Sequence, residues 1–132
     1  WLEHYTLASI QQISESCHIH DSAMNVVIGD FEFDVAAMKG YQLFAISCAT
    51  QSSTQLVKQK LFEAYTRARQ MGGDEARVAV ICHAEPHGDS SPERIEGEIV
   101  QEWDAKGKVR VFGEEHLPYL PEHLAYWINE QN

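Results

Sequence analysis

Between residues 24 and 49, three apolar runs are separated by only two dipeptides. "MNVVI" (24–28) meets Gly29-Asp30, "FEFDVAAM" (31–38) meets Lys39-Gly40, and "YQLFAISCA" (41–49) follows. Two-residue breaks carrying Gly between β-branched and aromatic runs are tight-turn signals, so the segment is predicted to fold as an antiparallel meander. The third run turns apolar on both faces toward its end, as a central strand does.

The flanking sequence supplies helices. Leu2, Tyr5, Ala8 or Ser9, and Ile13 recur at near-helical spacing, which predicts an amphipathic helix over residues 1 to about 16. Leu61, Ala64, Tyr65, Ala68 and Met71 make the apolar stripe of a helix over 54–71, with Ser53 or Thr54 as its cap and Gly72-Gly73 as its stop. "ARVAVICHA" (76–84) reads as a strand buried on both faces, and 85–93 as a loop. Ser91 is placed to cap a helix with Pro92 in its first turn, running to about Ala105. "KVRVFG" (108–113) then reads as a strand and "PEHLAYWINEQ" (121–131) as a terminal helix. The order αβββαβ followed by αβα predicts an α/β fold with a mixed central sheet flanked by helices on both faces.

The 132 residues suit one domain around one core. The chain begins at Trp1 as if already inside a helix, so we expect the C-terminal part of a longer protein, with an N-terminal ligand-binding domain preceding it. The formal net charge of −10 argues against strong sequence-independent nucleic-acid binding, although a local basic patch is compatible with it. Cys17, Cys48 and Cys82 are odd in number and carry no C-x-x-C spacing. Free buried thiols in a reducing cytoplasm fit them better than disulfides or zinc. No apolar run approaches the length of a membrane span.

An Asp on the second strand and a short tripeptide ending the third resemble the PD-(D/E)XK nuclease core, whose restriction-endonuclease-like fold has this element order. "WLE", "FEFDV", "YQLFAISCAT" and "KLFEAYTRARQMGGDEARVAVIC" resemble, more closely, the nuclease domain of CARF-linked, cyclic-oligoadenylate-activated effectors of type III CRISPR systems. The likeness covers roughly residues 1–84. It implies metal-binding roles for Glu3 and Asp34, with Mg²⁺ or Mn²⁺ as cofactor. It also puts Ser47 where the family has a metal-binding Glu, and Ala49 where the family has a catalytic Lys.

Those two replacements bear directly on chemistry. A hard cation held by carboxylates polarises the phosphate and acidifies the attacking water, and a neutral hydroxyl is a poor ligand for it. The Lys acts on transition-state charge, and losing one such donor typically costs about 2.7–4 kcal/mol. The expectation is therefore a nuclease-like domain of a defence effector whose metal-dependent cleavage of DNA or RNA is lost or weakened. Relocation is the alternative. Glu32 lies two residues from Asp34 and so is expected on the same face of its strand, and Lys58, Lys60 or Glu63 could reach the site from the following helix. A non-catalytic module of the same fold, used for dimerisation or nucleic-acid docking, is the competing class.

Lys58, Lys60, Arg67, Arg69 and Arg77 collect around one helix and its exit. They read either as a phosphate-tracking face or as a solvated surface balancing Glu63 and Asp74. His18 with His20, and His83 with His87, read as exposed histidines before they read as metal ligands. Trp103, Tyr119, Tyr126 and Trp127 read as core or interface. Leu124, Trp127 and Ile128 suit a contact with a second copy in a homodimer or with a preceding domain.

Overall fold

The meander forms, but its ladder breaks at one residue. A computed structural model of the chain describes residues 1–50, 53–85 and 91–130. Its elements are helix α1 (Leu2–Ile13), strands β1 (Asp21–Ile28), β2 (Phe31–Lys39) and β3 (Gln42–Cys48), helix α2 (Thr54–Gly72), strand β4 (Arg77–Ile81), helix α3 (Pro92–Trp103), strand β5 (Val109–Phe112) and helix α4 (Leu120–Asn129). Short 3₁₀ turns at Gly73–Glu75 and Glu114–Tyr119 precede β4 and α4.

The five strands lie in the order β1-β2-β3-β4-β5. The hairpins make β1–β2 and β2–β3 antiparallel. The helical crossovers through α2 and α3 then bring β4 and β5 in parallel to β3. This is the expected mixed α/β sheet. Gly29 and Gly40 take left-handed backbone, with φ of 63° and 61°, at the two turns. Gly has no Cβ to oppose that conformation, which is why each dipeptide break turns the chain so tightly.

Each face of the sheet carries its own core layer. Helices α2 and α3 cover one through Val57, Leu61, Ala64, Ile95 and Ile99, packed on Leu43, Ala45, Val78 and Val80. Helices α1 and α4 cover the other through Leu2, Ile10, Leu124, Trp127 and Ile128, packed on Phe44, Ile46, Ala79 and Ile81. Every residue of β3 after Gln42 is buried, which makes it the central strand its composition predicted. The terminal helix therefore spends Leu124, Trp127 and Ile128 inside the domain, not on a partner; Trp127 stands edge-on to Phe44 at 5.2 Å. Burying side chains of this size contributes about 1.5–3 kcal/mol each.

Several local expectations shift. Strand β1 starts at Asp21 instead of 24, and both His18 and His20 precede it. His18 adopts left-handed backbone at φ 59° in the turn before the strand, while the His20 imidazole bonds the Gly40 carbonyl at 2.9 Å. His87 lies outside the described residues, and His83 is half-buried beside Trp1. Ser91 does cap α3, its hydroxyl accepting the Arg94 N–H at 3.3 Å with Pro92 following. All three cysteines are free and buried.

Candidate functional site

The break in the ladder makes the site. Strand β2 pairs with β3 only from Val35↔Ile46 to Lys39↔Gln42. Continuing that register would set Phe33 opposite Cys48, but Phe33 instead turns into the α2/α3 layer while Val35 stays in the α1/α4 layer. Alternation is thus interrupted at Asp34. On the neighbouring strand Asn25 takes a φ of 53°, and Asn25 and Asp34 are the pair the β1–β2 register skips.

Side chains fill the place a strand partner would have taken. The Cys48 N–H donates to Asp34 Oδ2 at 2.7 Å, and Lys60 Nζ, from the second turn of α2, donates to the Cys48 carbonyl at 2.9 Å. An antiparallel neighbour exchanges both bonds with one residue; here a carboxylate and an ammonium do so. The other edge of β3 continues its ladder, with the Ala49 N–H on the Ile81 carbonyl at 2.9 Å.

The Cys48 side chain points into the α1/α4 layer, 3.7 Å from the Thr6 hydroxyl. Burial pushes its thiol up to about 12; the Thr6 contact works against that, the Asp34 and Glu3 carboxylates add to it, and Lys60 opposes it. Glu3, Asp34, Lys60 and Cys48 thus share one neighbourhood at the end of β3. A thiol held neutral there is no nucleophile.

Ser47 and Ala49 face the other way. They are 6% and 2% exposed, and Ala49 belongs to the α2/α3 core with Val57 and Leu61. Their side chains have neither solvent nor the Asp34 side of the strand in front of them. Glu32 is exposed. Lys58 is paired with Glu98 of α3, Arg67 lies 3.5 Å from Asp30, and Arg69 bonds Asp74 at 2.6 Å. Glu63 is exposed. Of the side chains expected to reach the site from α2, Lys60 is the one bonded there.

Asp34 keeps its second carboxylate oxygen and further lone pairs beside the Cys48 N–H bond, and Glu3 is the other carboxylate of this neighbourhood; these are the residues that would hold a divalent cation. Among the described residues no three His, Cys, Asp or Glu side chains gather as a metal site. No helix among them is long and apolar enough to cross a membrane.

No protein-family model matches the chain, and no curated protein matches it significantly. Among solved structures, the crystal structure of protein VC1899 from Vibrio cholerae superposes with a TM-score of 0.75 at 23% identity, over 100% of this chain. The chain spans 34% of that protein's length. The likeness shows that the α/β fold is one already seen within a longer chain.

Proposed function

We propose that this chain is a nuclease-like domain that no longer cleaves, acting as a structural module within a longer, CRISPR-associated type of defence effector. The observation that carries the reading is the Lys60–Cys48–Asp34 bridge. It ties the Asp that the PD-(D/E)XK resemblance assigns to metal into the backbone, and it sets an ammonium beside it. The buried Ser47 and Ala49 offer no replacement ligand or donor. The effector context rests on the sequence resemblance, and the fold shared with one part of a much longer chain is compatible with it.

The test is cleavage of plasmid DNA and of single-stranded RNA with Mg²⁺ or Mn²⁺, alongside melting temperature with and without the ions. The expected result is no cleavage and no thermal shift. A bound ion at a hundredfold excess over Kd would stabilise by about 2.7 kcal/mol. Ion-dependent cleavage abolished by Asp34→Asn overturns the reading.

Relocated chemistry is the second reading, and the position of Lys60 favours it. The helix brings an ammonium to the strand end where Ala49 has none. That reading requires cleavage which Lys60→Met abolishes and Lys58→Ala leaves intact.

A further inference from the structure

Away from the strand end, the outer side of α2 carries an aromatic cluster at the margin of the α2/α3 core, with Tyr65 buried in that core, Trp103 packed against it and Phe62 outside it. Phe62 is 52% exposed, whereas its helix neighbours Leu61 and Ala64 are buried. It meets Trp103, at the end of α3, with ring centroids 5.2 Å apart and planes tilted by 59°. Trp103 in turn stacks on Tyr65 at 5.6 Å, nearly parallel at 8°. Together they wall a hollow of about 420 Å³. That is within the range of about 300–1,000 Å³ typical of small-ligand sites.

The polar end of the hollow is as specific as its walls. The Arg69 guanidinium sits 5.4 Å above the Tyr65 ring and bonds the Asp74 carboxylate, and Gln70 adds an amide. Donors and acceptors therefore stand side by side at one rim, with their charges balanced. An anion would gain the guanidinium but meet Asp74, in a chain whose net charge is −10. A pure hydrocarbon would satisfy the rings and leave the rim unused. A flat ring with donor and acceptor groups along one edge uses both, because aromatic faces attract offset or tilted π partners and the rim can pair with the edge.

We infer that this hollow binds a neutral heteroaromatic ring with the hydrogen-bonding edge of a nucleobase, stacked against Phe62 and Trp103 and read by Arg69, Asp74 and Gln70. The site is separate from the end of β3 and does not depend on whether that end cleaves anything. The ring can come from a free nucleoside or from one unit of a single strand, and the two sources differ in their phosphates.

Calorimetric titration of the 132-residue chain with guanosine, adenosine and a short single-stranded oligonucleotide tests it. We expect saturable nucleoside binding that changes little between low and high salt. Phe62→Ala, at an exposed position, should weaken it about tenfold by removing one stacking partner. Arg69→Gln should change the preference between guanosine and adenosine. Tighter binding of the oligonucleotide, equally sensitive to Phe62→Ala, assigns the ring to a polymer; equal affinity assigns it to a free nucleoside. No nucleoside binding by the folded chain, binding that Phe62→Ala leaves unchanged, or binding that needs phosphate and vanishes in salt overturns the inference.

Discussion

The Asp34 carboxylate accepts the backbone N–H of Cys48 at 2.7 Å, in the place where a residue of β2 would otherwise continue the ladder. An acidic side chain here does the work of a peptide group.

Asp34→Ala should destabilise the chain by about 1–3 kcal/mol, the usual cost of leaving a part-buried donor unpaired. Asp34→Asn should cost less, since its amide oxygen can still accept. Urea unfolding at pH 7 measures both. Equal stability of parent and Asp34→Ala would show that the bond contributes nothing.

Introducing the residues that the PD-(D/E)XK resemblance expects at positions 47 and 49 should fail. Ser47→Glu with Ala49→Lys places two charges at positions 6% and 2% exposed, facing the α2/α3 layer. Taking two charges into an apolar layer, even as a neighbouring pair, carries a desolvation penalty on the order of several kcal/mol. We expect the double variant to melt far below the parent or to be insoluble. A well-folded double variant that binds Mn²⁺ would mean the layer opens readily.

The Cys48 thiol, pushed up to about 12 mainly by burial, should resist alkylation in the native chain at pH 8. Peptide mapping after iodoacetamide should find it modified only once the chain is unfolded. Rapid native-state labelling of Cys48 would contradict its buried, neutral state.

His116 gives the pH dependence. Burial and then the neighbouring His123, 4.7 Å away, hold its imidazole below the usual value. A depressed folded value means that its contribution is full above the unfolded value of about 6.5. It is lost as pH falls through the folded value. Glu96 works in the opposite sense, because burial raises its carboxyl. Its contribution is full below the ordinary carboxylate range and disappears as pH rises through the folded value. Comparison of parent and His116→Gln between about pH 7.5 and 6 isolates the His116 effect: as pH falls, the parent's melting temperature should lose more than that of the variant.

Gly113→Ala tests the close approach between β5 and the start of α3. A Cβ there would stand 2.6 Å from the Ala84 carbonyl oxygen and 2.3 Å from Pro92 Cγ. The backbone oxygen also accepts the Glu114 N–H and has little freedom to move. Overpacking of this sort costs about 1–3 kcal/mol, readable by the same urea titration.

The elements were largely legible because their signals are local. Gly29-Asp30 and Lys39-Gly40 dictate hairpins, the Leu61–Met71 stripe dictates a helix, and Ser91-Pro92 dictates its neighbour's first turn. The hydrogen bonds around Asp34 at the end of β3 were not legible. Period-two alternation assigned Glu32 to the Asp34 face, while the change of layer between Phe33 and Val35 is a tertiary event that no spacing encodes. The same holds for Lys60. Its reach to the Cys48 carbonyl depends on how α2 lies across the sheet, while Lys58, two residues away, is drawn to Glu98. Leu124, Trp127 and Ile128 announced an apolar face on α4. What covers that face, α1 and the far side of the sheet, follows only from the three-dimensional packing.

The left-handed Asn25 lies in the middle of the sheet's outer strand. A long, flat edge strand is a template for other chains, and proteins commonly blunt such edges with local irregularities. Here the irregularity opposite Asp34 divides β1 into two short stretches, Asp21–Met24 and Val26–Ile28, that switch faces between them. An incoming strand would have to match the irregularity, as β2 does at Asp34, to stay paired across that switch. The distortion that shapes the end of β3 therefore also guards the opposite rim of the hairpin against amyloid-like growth.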